Sequence, residues 1–404
     1  MKSFGYIKTY DAGLVPLFLV SPLLSLPYIL WGIYRRERSA YFFFSLFLGF
    51  LAWLQIPFAD LFRHTINAYD LVGKPLSYIF TNSLSSDFFV PFVSWILVNA
   101  DIPYQFLRLI CVTESFFLMT IIFNYMIEKS AKDYCNSEIF IRFILLFLFF
   151  ELVLTINGVR YGFAVSQYVF VLHLIFNKRS YFAALLFSLL AVEIHISFLF
   201  FIPVSIVLYY LCISVKRSIV ILIVCSFLVL AVISQFSYLI GRRADWYFDG
   251  GTSVAGTQNI TIYGFILFVG VRLFLLPFVV LVFKYFKKQS KWCRIGLVWI
   301  VMALIFVTSI TVMLRMLFVF STICVFLFLE IEARAAIKKR FVIILLWCGV
   351  ITTIFNTVNF RTIILNSRYY YIAMPVPFIL QNQYEKDWII EHIDNNTIIK
   401  DVHE

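Results

Sequence analysis

Arginines at 63, 160, 242, 243 and 315 each stand where an apolar stretch of the chain gives way to polar residues. A guanidinium at such a boundary can grip phosphate oxygens through two parallel hydrogen bonds. Asp60, Arg63 and His64 fall at i, i+3 and i+4, so a helix continuing past Phe58 would set a potential base, an anion-binding group and a second titratable group on one face. Ordinary interfacial residues at a helix end would have the same pattern. Arg160 lies in Asn157-Gly158-Val159-Arg160-Tyr161-Gly162, a tight turn between two apolar helices, and Arg315 in a minimal turn at 314–315. Each is open to two readings, a snorkelling arginine or an anion ligand. His195 follows Glu193 between two long apolar stretches. That pair suits a helix-to-helix hydrogen bond, and it also suits proton transfer, because imidazole titrates near neutral pH and a carboxylate can hold its tautomer. The loop Arg242, Arg243, Asp245, Trp246, Tyr247 and Asp249, followed by Gly250 and Gly251, offers aromatic platforms and charged hydrogen-bonding groups suited to sugars and phosphates.

The elements that must position these groups belong to a membrane. In 404 residues the chain is 62% hydrophobic and only 14% charged, against about a quarter charged in soluble domains. A soluble core, a disordered region and a disulfide-stapled secreted domain are excluded by that balance. Apolar stretches fall at 14–33, 39–58, 104–127, 139–156, 162–176, 181–194, 196–214, 218–240, 262–283, 295–313, 316–332 and 341–358. The expected fold is therefore all-α, a polytopic integral membrane protein with about twelve transmembrane helices in a single domain over 1–404. Phe88 to Ala100 is too short to cross and is read as a re-entrant or interfacial helix inside a first long outer loop at 59–103. A second outer loop spans 241–261, and a tail runs over 359–404.

Net charge is +11, and in a membrane protein the basic residues report topology rather than nucleic acid. Loops 35–38, 128–138, 177–180, 215–217, 284–294 and 333–340 hold 18 Lys and Arg, whereas the opposite set holds 8 and the tail four more. The first set is expected in the cytoplasm, with both termini outside. Leu14 to Ile33 is followed by Arg35, Arg36 and Arg38 rather than by a cleavage site, so it is expected to persist as a span. Seven cysteines, in apolar segments or cytoplasmic loops, do not suggest a disulfide framework. The sequence holds no G-x-x-x-x-G-K-[ST], H-E-x-x-H, C-x-x-C or D-x-D run, so nucleotide hydrolysis, zinc proteolysis and the usual metal-dependent nucleotide-sugar transfer have no support. No cofactor or metal site is expected. Arg108, Glu114, Arg142, Glu151 and Arg272 are expected to pair inside the bundle. The simplest anion for the five outer arginines to collect is a lipid diphosphate.

At these residues the chain resembles bacterial polysaccharide polymerases of the Wzy and EpsG type. The likeness lies in Asp60-Leu61-Phe62-Arg63-His64 after the second span, and in the arginine opening one helix at Asn157 to Ala164. It continues in Glu193-Ile194-His195-Ile196-Ser197 closing the next helix, and in the later Arg315. The G-[ST]-D run common in the first outer loop of EpsG-like chains is missing, Tyr69-Asp70 standing there instead. The resemblance implies glycosyl transfer on the periplasmic face of the bacterial inner membrane, from an undecaprenyl-diphosphate-linked glycan to an acceptor repeat unit. Arg160, Arg63 and Arg315 would hold diphosphate, and His195 or Asp60 would take the proton. His64, Tyr161, Glu193 and the residues from Arg242 to Asp249 would touch substrate. A chain-length regulator and a flippase would be partners. Three rival functions stay open: a flippase for the same lipid, an O-antigen ligase, and a polyprenyl-phosphate-sugar-dependent glycosyltransferase.

Overall fold

Hydrocarbon offers no partner to a backbone amide, so a chain this apolar must satisfy its own polar groups within helices. The computed structural model describes residues 9–58, 60–83, 88–211, 216–217, 219–224, 270–286, 290–305, 310–335 and 337–393, and among them the regular elements are helical. In chain order they are α1 (Thr9–Val20), α2 (Pro22–Tyr34), α3 (Arg38–Leu54), α4 (Asp60–Tyr69), α5 (Leu76–Ser83), α6 (Phe89–Asn99), α7 (Gln105–Glu128), α8 (Asn136–Phe149), α9 (Leu152–Asn157) and α10 (Val159–His173). Then follow α11 (Tyr181–Ile194), α12 (Phe198–Leu211), α13 (Leu276–Tyr285), α14 (Lys291–Ile305), α15 (Ile310–Glu332), α16 (Lys339–Asn359), α17 (Arg361–Asn366), α18 (Val376–Gln381) and α19 (Lys386–His392). Among the described residues, four stretches are long and apolar enough to cross a membrane: Gln105–Glu128, Val159–Lys178, Val312–Glu332 and Lys339–Asn359.

These long helices separate two ends of very different chemistry. At one end the basic loops meet. Arg36 Nη2 donates to Tyr134 O (2.7 Å), Tyr125 Oη to Asn177 O (3.1 Å), and Lys132 Nζ to Glu332 Oε1 (3.0 Å). Arg142 also pairs with Glu332, and Glu330 accepts from Ser290 Oγ, Lys291 N, Trp292 N and Arg334 Nη2. Burial pushes the Tyr134 phenol up to about 12, with the Glu332 carboxylate adding to the effect. At the other end lie the starts of α7, α10 and α15, the last residues of α3, and the chain after α16. The apolar lengths and basic loops therefore agree about which residues share an end.

Three spans differ from the sequence expectation. Residues 14–33 do not form one helix: Ser21 is extended (φ −164°), its Oγ accepts from Leu24 N, and Pro22 opens α2. α1 folds back along α2, so that Tyr10 stacks on Tyr28 and Asp11 bonds Ser39. Residue 10 thus returns to the end that holds Arg35 and Arg36 instead of lying across the bundle from them. Ser followed by Pro is an ordinary helix start, and it outweighed the unbroken apolarity. The stretch 139–156 is likewise split, into α8 and α9, by Glu151 in the left-handed region (φ 52°, ψ 57°), which costs about 1–3 kcal/mol for a residue with a side chain. Finally, Arg315 is not in a turn. It lies inside α15, because nothing from Ile310 onward breaks a helix and arginine is a good helix former.

The stretch expected as the first outer loop contains α4, α5 and α6, and α6, at 11 residues, is about 16 Å long, too short to cross. Trp95 Nε1 and the Asn99 amide on α6 hold the turn at Leu71–Lys74. The expected tail from 359 is a folded cap in its described part, to residue 393. Trp53 Nε1 donates to Ile379 O (3.0 Å), Tyr384 Oη and Arg368 N donate to Leu54 O (2.9 and 3.0 Å), and Ile56 N donates to Ser367 Oγ (3.0 Å). The Leu54 carbonyl at the end of α3, where no intrahelical partner is available, is thus taken up by the cap. Ile56, Phe62, Ile363, Tyr384, Ile389 and Ile393 bury one another in a small second core separate from the bundle's. Close helix approach fixes the rest: a Cβ on Gly49 of α3 would fall 2.8 Å from Leu109 O of α7, so only glycine allows this crossing.

Candidate functional site

The α9–α10 bend carries the first part of the site. Asn157 ends α9, Gly158 takes neither helical nor extended dihedrals, and α10 begins at Val159. The reversal is sharp enough that a Cβ on Gly162 would lie 2.9 Å from Thr155 Cγ2 and 3.0 Å from Thr155 Cα, atoms seven residues apart that in a straight helix would be separated by about 10 Å. Gly162→Ala is therefore expected to lower stability by about 1–3 kcal/mol through overpacking against backbone. A fall in the thermal unfolding midpoint of the detergent-solubilised protein would report it, and an unchanged midpoint would contradict the packing.

Tyr161, on the first turn of α10, is where the predicted groups meet. Its hydroxyl donates to Arg315 O (3.2 Å), the Arg315 guanidinium carbon lies 5.6 Å from its ring centroid, and the His195 ring meets it edge-on at 5.1 Å. Phe198 and Phe318 close the apolar sides of the same ring. His195 interrupts the helical path between α11 and α12 with extended dihedrals, and its Nδ1 shares a hydrogen bond with Ser197 Oγ (2.8 Å). Arg160, Tyr161, His195 and Arg315 are all half-buried, a setting in which a guanidinium attracts an anion more strongly than it would in water. The α11–α12 break and the distant α15 thus bring an imidazole and an arginine onto one phenol of α10, with Arg160 the preceding residue in the chain.

Behind this cluster runs a buried polar chain that the sequence did not suggest. Gln55 Nε2 donates to Asn157 Oδ1 (2.6 Å), Tyr369 Oη donates to Gln55 Oε1 (2.8 Å), and Arg108 donates to the carbonyls of Gln55 (2.8 Å) and Trp53 (3.3 Å). Arg108 is fully buried. Its charge rests on the C-terminal carbonyls of α3, the negative end of that helix's dipole. The only sign of this in sequence was the set of polar residues Gln55, Arg108 and Asn157 near the ends of apolar stretches.

The remaining predicted residues are placed as follows. Arg63 is exposed and His64 half-buried on α4, which packs on α6 and α9 and against the cap. Asp60 opens α4. Tyr69 Oη donates to Tyr384 O (2.8 Å), Lys386 Nζ meets Asp70 (2.8 Å), and Arg368 is held between the Tyr384 and Trp388 rings. Burial pushes the Tyr384 phenol up to about 12 and the Tyr69 phenol upward, so both remain donors at neutral pH. Glu193 is exposed on α11, and His195, itself extended just after that helix, meets Ser197 Oγ. Arg242, Arg243, Asp245, Trp246, Tyr247 and Asp249 lie outside the described residues. Of the five intramembrane groups expected to pair together, Glu151 and Arg272 do so. Arg142 pairs instead with Glu332, Glu114 accepts from Gln167, and Arg108 takes carbonyls.

A family model described as the EpsG family matches residues 76–375, about three quarters of the chain. No curated protein and no solved structure matches.

Proposed function

The chain belongs to the EpsG family, and from that premise we propose that it polymerises lipid-linked oligosaccharide repeat units. The glycan would move from an undecaprenyl diphosphate carrier to an acceptor repeat on the periplasmic face of the inner membrane. The observation that carries this reading is the convergence of His195 and Arg315 on Tyr161, next to Arg160, at the end of the bundle opposite the basic loops. By the positive-inside rule that end is the extracytoplasmic one.

In this mechanism His195 takes the proton of an acceptor sugar hydroxyl. A Nδ1–H donated to Ser197 Oγ leaves the lone pair on Nε2, the nitrogen that accepts it. The acceptor oxygen forms a bond to the anomeric carbon as the bond from that carbon to the diphosphate oxygen breaks. The electron pair leaves on the diphosphate, whose growing charge Arg160 and Arg315 stabilise, with Arg63 of α4 gripping the same group. Asp60 is the second candidate base, and His64, Glu193 and the segment Arg242 to Asp249 are candidate sugar contacts. A flippase and a chain-length regulator are the expected partners.

The test is reconstitution of the full-length chain with a defined polyprenyl-diphosphate-linked repeat unit. Products of two or more repeats with release of free polyprenyl diphosphate are expected. Movement of intact single units across the vesicle without elongation would instead establish a flippase and reject polymerisation.

A further inference from the structure

The break between α8 and α9 is built, and its parts lead to the site. Glu151 is buried in the left-handed conformation, and Arg272, 121 residues away, closes an ion pair on its Oε1. Two carbonyls at the break are taken up by side chains, Phe149 O by Ser321 Oγ (3.1 Å) and Phe150 O by Thr155 Oγ1 (3.2 Å), and Glu151 O starts the next helix by accepting from Thr155 N (3.0 Å). Thr155 is shared between the two features, because its hydroxyl serves the break while its methyl and Cα face Gly162 across the bend. From Glu151 to Tyr161 the chain is therefore one short rigid path. It runs through α9, is caught on the way by Gln55 at Asn157, and delivers Arg160 and Tyr161 at its end.

A buried ionisable pair within an apolar bundle is costly to keep and sensitive to the loss of either member. We infer that Glu151 and Arg272 are positioning residues: their ion pair sets the angle of α9 and thereby the placement of Arg160 and Tyr161. This inference rests on the proposed role of Arg160 and Tyr161 for its functional meaning, but its geometry can be tested without any glycan.

The experiment uses the full-length chain in membranes, with its own cysteines replaced and cysteines introduced as Gln55→Cys and Asn157→Cys, whose native side chains touch. Oxidative cross-linking is timed with Glu151→Gln, with Arg272→Gln, and with the exchanged pair Glu151→Arg and Arg272→Glu. Each single variant is expected to slow cross-linking at least fivefold, and the exchanged pair is expected to restore most of the rate. In parallel, with residues 55 and 157 native, polymer made per unit of folded protein should fall at least tenfold in each single variant and recover in the exchanged pair. Cross-linking unaltered by either single variant would overturn the inference. Failure of both single variants to accumulate would make the pair a requirement of folding and would overturn it equally. Slower cross-linking with undiminished polymer would uphold the positioning and count against the proposed roles of Arg160 and Tyr161.

Discussion

Replacing Arg160 with alanine is expected to abolish long-chain polysaccharide while single repeat units and normal amounts of folded protein remain. The residue is half-buried on the first turn of α10, one position before Tyr161, whose ring meets Arg315 and His195. Removing one preorganised group that stabilises a departing anion costs about 100- to 1,000-fold in rate, enough to end visible polymerisation. Stability should change little, because α10 is anchored elsewhere, at Gly162 against Thr155 and at Ser166 on Ser115 (3.0 Å). Gel analysis of extracted polysaccharide beside an immunoblot of the variant decides the matter, and full-length polymer at normal protein level would reject the anion-holding role.

His195→Ala is expected to slow turnover by about 100- to 10,000-fold, the range contributed by a positioned general base, with substrate binding changed far less. The distinction matters because His195 also fills space against Tyr161 and Phe198. His195→Gln keeps much of that volume and a hydrogen bond to Ser197 Oγ yet cannot take up a proton at neutral pH, so it should be as slow as the alanine variant. Single-turnover rates on a purified lipid-linked substrate separate the two roles. Unchanged rates in the alanine variant would remove His195 from proton transfer, and recovery in the glutamine variant would assign it to packing.

The candidate residues were legible in the sequence because their types stand out from their surroundings. Arginine at 160 and 315 lies opposite the basic loops, where the positive-inside rule leaves few cations, and a histidine between two apolar stretches has few reasons to be there. Their meeting on Tyr161 was not legible, since it depends on how α10, α12 and α15 cross. The break at Glu151 escaped for a similar reason: an apolar window averages over a single left-handed residue, and the carboxylate's partner lies 121 residues later. The hairpin at Ser21 could have been found, because a serine cap followed by proline is a local signal. The cap at 361–393 was hidden by its modest hydropathy. It is held by a small core and by the Leu54 carbonyl at the end of α3, which no window on its own residues registers.

In the proposed function, arginines from separate helices hold one diphosphate. The most direct measurement is a binding titration of a polyprenyl diphosphate against the purified full-length protein, its Arg160→Ala and Arg315→Ala variants, and the double variant. Each single change is expected to weaken binding about tenfold or more, in line with roughly 1.5–3 kcal/mol for a charged hydrogen bond. The double change should fall short of the product of the two, as befits groups that share a ligand. Equal affinity in all four proteins, at equal folded fraction, would contradict the claim.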